Sequence, residues 1–339
     1  MADGNTALSI CIASYNYAEY LEYAFEQIKA QDFTDCEILY CDDASSDNSV
    51  EVIRKIIYDN PNMKIRLIEN RENQGLISTK NRLITEARGT YIMLCDADDY
   101  MLPGCLSTLM DAATGSNADR VCAQVVDRDN DGRDIQVQEF AEAQSKWLWN
   151  LHHGCVYKRS IIADNDIVIK VHPDDVDFIT RFNRYAEKTI FIKKNLYVWR
   201  VHQDSSGKKS QTEGESRKEL VDMFREIKCV ENTLDEDDTD DLTELRLLYI
   251  KIYYLYVLKY EKAISWAARK NKWRALRQVI DEYYPGFYNN SLLKNNSREV
   301  LRPYAIGILR VCSWAEKCHM FTLALYGYHI MSKVKYFDQ

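Results

Sequence analysis

Glycine and proline are scarce in this chain, 12 and five among 339 residues. That scarcity excludes collagen-like, proline-rich and linker-dominated architectures. Long apolar runs are missing as well. A membrane-spanning helix needs about 18–20 consecutive apolar residues, and the best candidate, from His319 to Ser332, is shorter and carries two histidines. No basic segment precedes an apolar one in the opening Met-Ala-Asp-Gly-Asn, so no secretory signal is expected. Positive charge is outweighed, 44 Lys and Arg against 52 Asp and Glu. This counts against a protein that lives on a nucleic-acid backbone. None of the ten cysteines forms a Cys-x-x-Cys pair. A zinc site is therefore disfavoured, and the expectation is reduced core thiols in a cytoplasmic protein. The chain also lacks Gly-x-x-x-x-Gly-Lys-Ser/Thr, and no Gly-x-Gly-x-x-Gly follows its first apolar run. A P-loop NTPase and a dinucleotide dehydrogenase lose weight accordingly.

What is present reads as globular, with 46% apolar and 28% charged residues. In the first half, short apolar runs alternate with amphipathic stretches. Residues 8–13, 37–41, 64–68 and 91–95 read as strands. Residues 19–30, 48–58 and 75–87 have helical spacing, the second opening on a capping box at Asn48, and Pro103 suits the first turn of a fourth helix. This alternation predicts an α/β fold with a mostly parallel sheet flanked by helices. Further strands are expected at 120–126, 154–157, 189–192 and 196–201. A polar Gly/Ser-rich stretch at 203–214 reads as a loop or linker, and long helical patterns follow it. The expected division is residues 1–210 as one domain and 211–339 as a helical domain or cap.

Acidic residues gather where strands end. Asp42 and Asp43 follow the second strand, and Asp96, Asp98 and Asp99 follow the fourth. Ligands of parallel α/β sheets bind at the carboxyl ends of strands, near a switch in strand order. Clustered carboxylates repel unless a cation lies between them. Asp96 and Asp98 are two apart, so in extended backbone their side chains leave on one side. Such hard oxygen donors suit Mg²⁺ or Mn²⁺, which would bind a diphosphate.

These elements stand in a telling order. Ser9-Ile-Cys-Ile-Ala-Ser-Tyr-Asn16 is followed by Asp42-Asp-Ala-Ser-Ser-Asp47, then by Asn73-Gln-Gly-Leu-Ile-Ser-Thr-Lys-Asn81 and Asp96-Ala-Asp98. His172-Pro-Asp-Asp-Val-Asp-Phe178 comes next, then Val198-Trp-Arg-Val-His202 with Ser205. The series resembles a family 2 glycosyltransferase with the nucleotide-sugar-binding GT-A fold, over about residues 7–205. The resemblance implies an inverting, non-processive enzyme of the hexosyl- or N-acetylhexosaminyl-transferase class. It would move one sugar from a UDP-sugar to a saccharide or lipid-linked saccharide hydroxyl in cell-surface glycan synthesis. The Gln-x-x-Arg-Trp element of processive members does not follow Asp175. A non-catalytic nucleotide-sugar-binding or scaffold protein and a sugar nucleotidyltransferase are the alternatives. The latter would carry a Gly-rich basic loop after the first strand, and Ser14-Tyr-Asn-Tyr-Ala-Glu19 has neither feature.

The resemblance also implies roles. Ala13 and Tyr15 would line the uracil pocket, Tyr15 by stacking. Asp43 would accept the uracil N3 proton, with Asp42 as a structural alternative. Lys80, where many relatives carry Arg, would neutralise a phosphate or lie solvated on its helix. Asn81 would hold the loop under the ribose or cap a turn. Asp96 would contact ribose hydroxyls beside Ala97, and Asp98 would ligate Mn²⁺ or Mg²⁺ with His202 as a further ligand. Asp175 would be the general base, with Asp174 and Asp177 as alternatives. His152 and His153 read as surface hydrogen-bonding residues beside an acceptor-pocket reading. Trp147, Trp149 and Trp199 read as core residues or sugar platforms. The aromatic and basic tail predicts peripheral association with an anionic membrane at the inner face of the cell membrane. Packing on the catalytic core or on a second copy in a homo-oligomer is the alternative.

Overall fold

The computed structural model describes residues 6–141, 144–149, 151–202, 217–258, 266–286, 290, 303–323 and 325–326. Two compact units emerge, one from residues 1–140 and 150–202, the other from 141–149 and 203–339.

The first unit is built on a nine-stranded sheet. Strands β1 (Leu8–Ser14), β2 (Cys36–Asp42), β3 (Lys64–Glu69) and β4 (Tyr91–Asp96) alternate with helices α1 (Ala18–Lys29), α2 (Ser49–Asp59) and α3 (Leu76–Glu86). All four strands are parallel, and β1 lies between β2 and β4. Every residue of β1 and β2 is buried, which explains why both read as unbroken apolar runs. Helix α1 turns Tyr20, Leu21, Ala24, Phe25 and Ile28 inward. Burying each large apolar side chain of this kind stabilises by about 1.5–3 kcal/mol.

The second half of the sheet is mixed. After β5 (Tyr100–Met101) and helix α4 (Cys105–Ser116) come β6 (Arg120–Asp129), β7 (Asp134–Gln138) and β8 (Cys155–Lys158). Helices α5 (Arg159–Asp164) and α6 (Asp174–Tyr185) precede β9 (Thr189–Val201). Strand β8 runs antiparallel to both β4 and β6, while β9 runs parallel to β6. The strands expected at 189–192 and 196–201 are one continuous strand. Its pairing with β6 jumps from Ile192 to Asn195, so Lys193 and Lys194 bulge out, exposed, and mimic a break in the apolar pattern. Pro103 lies outside its helix: Gly104 is the cap, in left-handed backbone, and α4 starts at Cys105. Asn48 does stand at the start of α2 but makes no capping hydrogen bond with its side chain. Asp47 accepts from the Ser49 amide instead.

The second unit is helical, with helices Arg217–Glu231, Thr239–Leu258, Trp266–Tyr283 and Pro303–Lys317. Phe224 stacks on Tyr249, and Glu316 accepts from Trp273 and Tyr253 while pairing with Arg277. Trp147 and Trp149 are buried, and the Leu148 carbonyl between them accepts from Lys251. The loop at 203–214, Ser205, Tyr304 and Tyr328 fall outside the residues whose side chains are described. All ten cysteines are free thiols, eight of them buried.

Candidate functional site

The carboxyl ends of β1, β2 and β4 meet at one edge. Ala13 is paired with Cys41 on one side and Asp96 on the other, and Ser14 is paired with Asp42. Strand order switches here, since β1 feeds β2 on one flank and faces β4 on the other. Ala13 is buried and Tyr15 is 43% exposed on the loop above it. The Asn16 carboxamide ties that loop to the next by accepting from the Ser46 and Asp47 amides, and Asp42 holds Ser45 through its amide and hydroxyl. Asp42 is thus structural.

Asp43 is buried and accepts three hydrogen bonds. Asn70 Nδ2 and the Gln74 amide reach Oδ1 at 2.7 and 2.9 Å, and the Gly75 amide reaches Oδ2 at 2.8 Å. A carboxylate offers about four acceptor sites, so Oδ2 retains one. Gly75 has φ +85°, a conformation that L side chains rarely adopt, and this turn delivers two amides to Asp43 before α3 begins.

Lys80, on α3, is buried rather than solvated. Its side chain is 2% exposed. Nζ lies 2.7 Å from Asp174 Oδ2, 3.1 Å from Asp96 Oδ1 and 3.2 Å from His152 Nε2. An ammonium has three donors, and here there are three acceptors. Burial disfavours its charge, but Asp174, Asp96 and Asp175 outweigh that and hold its pKa above the usual lysine range. Burial likewise opposes charge on Asp96 and Asp174, and Lys80 reverses the balance, so both carboxyls lie below the usual range. Asn81 turns elsewhere. Its amide donates to the Ile169 carbonyl and accepts from the Ile169 amide, at 2.8 and 2.9 Å, which makes it a clamp on the segment before α6.

His152 and His153 are not surface residues. Both are buried, 2% and 4% exposed, against the acidic cluster. His152 Nδ1 contacts Asp175 Oδ1. His153 Nε2 lies 3.2 Å from Asp96 Oδ2 and 3.5 Å from Asp99 Oδ2, and its ring stacks on Trp199 at 5.7 Å. Burial drives His152 toward its neutral form. For His153 burial is overcome by Asp96 and Asp99, and its pKa is pushed up to about 10. Gly154 makes the placement of both rings feasible: it has φ +64°, and a Cβ there would meet Tyr197 Cβ at 3.0 Å. The one sequence signal for this pair was two histidines abutting a glycine at a strand start.

Helix α6 brings three acids, Asp174, Asp175 and Asp177, into its first turn. Asp177 is not available as a base. It accepts from the Lys170 and Val171 amides and from Arg181 Nε. Asp174 is bound to Lys80. Asp175 keeps Oδ2 4.0 Å from His153 Nδ1, beyond hydrogen-bond reach, with 19% of its side chain exposed.

Beside this cluster, His202 Nε2 lies 2.8 Å from Asp98 Oδ2, both side chains nearly closed off from solvent. His202 stacks on Tyr20 at 5.1 Å. Ala97, 1% exposed, fills the turn between Asp96 and Asp98. Asp99 accepts from the Arg200 amide, and burial together with Asp98 raises its pKa well above the usual range.

Residues 9–191 match the Glycosyl transferase family 2 profile. The chain is a family 2 glycosyltransferase. It is 26% identical over 268 residues to the GalNAc(5)-diNAcBac-PP-undecaprenol beta-1,3-glucosyltransferase of Campylobacter jejuni subsp. jejuni serotype O:2, covering 76% of this chain and 85% of that protein. Among solved structures, S. aureus TarS 1-349 in complex with UDP superposes with TM-score 0.68 at 17% identity, over 96% of this chain and 91% of that one. The mannosyltransferase PcManGT from Pyrobaculum calidifontis, in complex with GDP-Man and Mn²⁺, gives TM-score 0.56 at 14% identity, over 98% and 89%. These likenesses establish the GT-A-like α/β fold of the glycosyltransferase, and its helical C-terminal region lies within the aligned length.

Among the described residues of the glycosyltransferase, two sets of donors come within 4.8 Å of one another: Asp96 with His152 and His153, and His152 with Asp174 and Asp175. Lys80 already supplies the positive charge there, and a divalent ion would have to displace a buried ammonium. In the Asp98–His202 pair, one carboxylate oxygen and one imidazole nitrogen facing each other suit Mn²⁺ or Mg²⁺, with the remaining positions left to diphosphate and water.

Proposed function

We propose that this glycosyltransferase transfers one sugar from a UDP-sugar to a hydroxyl of a saccharide acceptor, with inversion, and that Asp175 is the general base. The observation that carries this reading is the linkage of Asp175 to the strand-end acids. His152 contacts Asp175, Lys80 contacts both His152 and Asp96, and Asp98 follows two residues on. A base is thereby held beside the edge where the donor's diphosphate would lie.

Asp175 Oδ2 would take the proton of the acceptor hydroxyl as that oxygen bonds to the anomeric carbon and the bond from that carbon to UDP breaks. Asp43 and Tyr15 would receive the uracil, by hydrogen bond and by stacking, and Ala13 would floor the pocket. Asp96 would face the ribose. Asp98 and His202 would hold Mn²⁺ or Mg²⁺, which when bound neutralises charge on the diphosphate. Support for the donor comes from TarS, which was crystallised with UDP and with UDP-GlcNAc. Support for a lipid-linked saccharide acceptor comes from the name of the Campylobacter relative. Among the described residues no helix is long and apolar enough to cross a membrane. Val311 and Trp314 are 61% and 58% exposed on helix Pro303–Lys317, which supports a peripheral membrane role for residues 211–339.

A thermal-shift series with UDP, GDP and CDP, each with Mn²⁺ and with chelator, followed by turnover on UDP-sugars, tests the reading. Stabilisation by UDP that needs the metal is expected. Stabilisation by GDP or CDP in place of UDP would overturn the donor assignment.

A further inference from the structure

We infer that Lys80 and His152 are positioning residues that fix which oxygen of Asp175 receives the acceptor's proton. This rests on the reading of Asp175 as the base. Lys80 can only donate, and its third contact is His152 Nε2 at 3.2 Å. That nitrogen must accept, so the single proton of the neutral imidazole sits on Nδ1. Nδ1 is the atom against Asp175 Oδ1. The protonated ring nitrogen is therefore the one set against Oδ1, which leaves Oδ2, 4.0 Å from His153 Nδ1, for the acceptor. Lys80 at Nε2 and the Asp175 carboxylate at Nδ1 thus favour the same tautomer from opposite sides of the ring.

The tautomer is read directly in the full chain labelled with ¹⁵N-histidine, with His152→Asn assigning the signal. The Nδ1–H form at neutral pH is expected, with the Nε2 resonance moving in Lys80→Met as the ammonium against it is removed. An Nε2–H signal in the wild type overturns the inference, whether or not Lys80→Met folds. Kinetics supply the second readout. His152→Ala should lose about 10–100-fold in kcat, a typical effect of removing a group that orients a catalytic ligand, with KM for the donor little changed. His152→Asn, whose amide places an N–H near the Nδ1 position, should restore most of the rate. Equal losses of kcat in both variants overturn the inference. A wild type that turns over no UDP-sugar sinks the proposed function, while the tautomer still decides this one.

Discussion

Lys80 donates to Asp174 across 2.7 Å, although the two lie 94 positions apart in the chain. The contact joins the helix that begins at Gly75 to the first turn of α6. It also separates two adjacent acids by function. Asp174 is held by a cation, while Asp175 lies against His152 and is 19% exposed.

Asp175→Asn should lower turnover by roughly 10²–10⁴-fold and leave UDP affinity intact, since the side chain touches no residue proposed to hold the nucleotide. Calorimetric titration of UDP beside a steady-state assay checks both halves. Near-normal turnover would remove Asp175 as the base.

Asp98→Asn and His202→Ala should each abolish the metal-dependent part of UDP stabilisation, on top of a lower melting temperature without ligand from loss of their buried contact. Thermal shift with and without Mn²⁺ reports this. If both variants keep the metal response, the ion is held elsewhere.

Acid should destabilise the fold partly through Asp174. Its folded pKa is depressed by Lys80, against the effect of burial. Its contribution is therefore complete above the ordinary carboxylate value near pH 4 and is lost as pH falls toward the folded value. Melting curves from pH 6 down to pH 3 should fall less steeply for Asp174→Asn than for the wild type. An unchanged slope would contradict the ion pair.

Asn81→Ala should cost about 1–3 kcal/mol, because it leaves the carbonyl and amide of Ile169 without their partner. Denaturant unfolding measures the cost, and UDP binding should persist. A selective loss of UDP affinity at unchanged stability would return Asn81 to the nucleotide.

Gly154→Ala should be destabilising and should lower kcat. The residue sits at φ +64°, and the added carbon would crowd Tyr197, shifting the two histidines before it. Unfolding and kinetics on this variant should change together.

Much of the fold and of the acidic edge at the strand ends was legible in the sequence, because those features are local. Apolar runs buried on both faces announce parallel strands, and Asp43, Asp96 and Asp98 follow their strands directly, so strand order alone carries them to one edge. The strand read as two at 189–201 was obscured by a bulge of two lysines, a register detail set by its partner β6. The inner half of the site belonged to the tertiary structure. Whether Lys80 is a solvated helix lysine or a buried cation depends on acids that arrive from β4 and α6, and whether His152 is a surface residue depends on Lys80, 72 positions away. Charge, tautomer and burial of these groups are set by their neighbours in space, and no spacing along the chain encodes them.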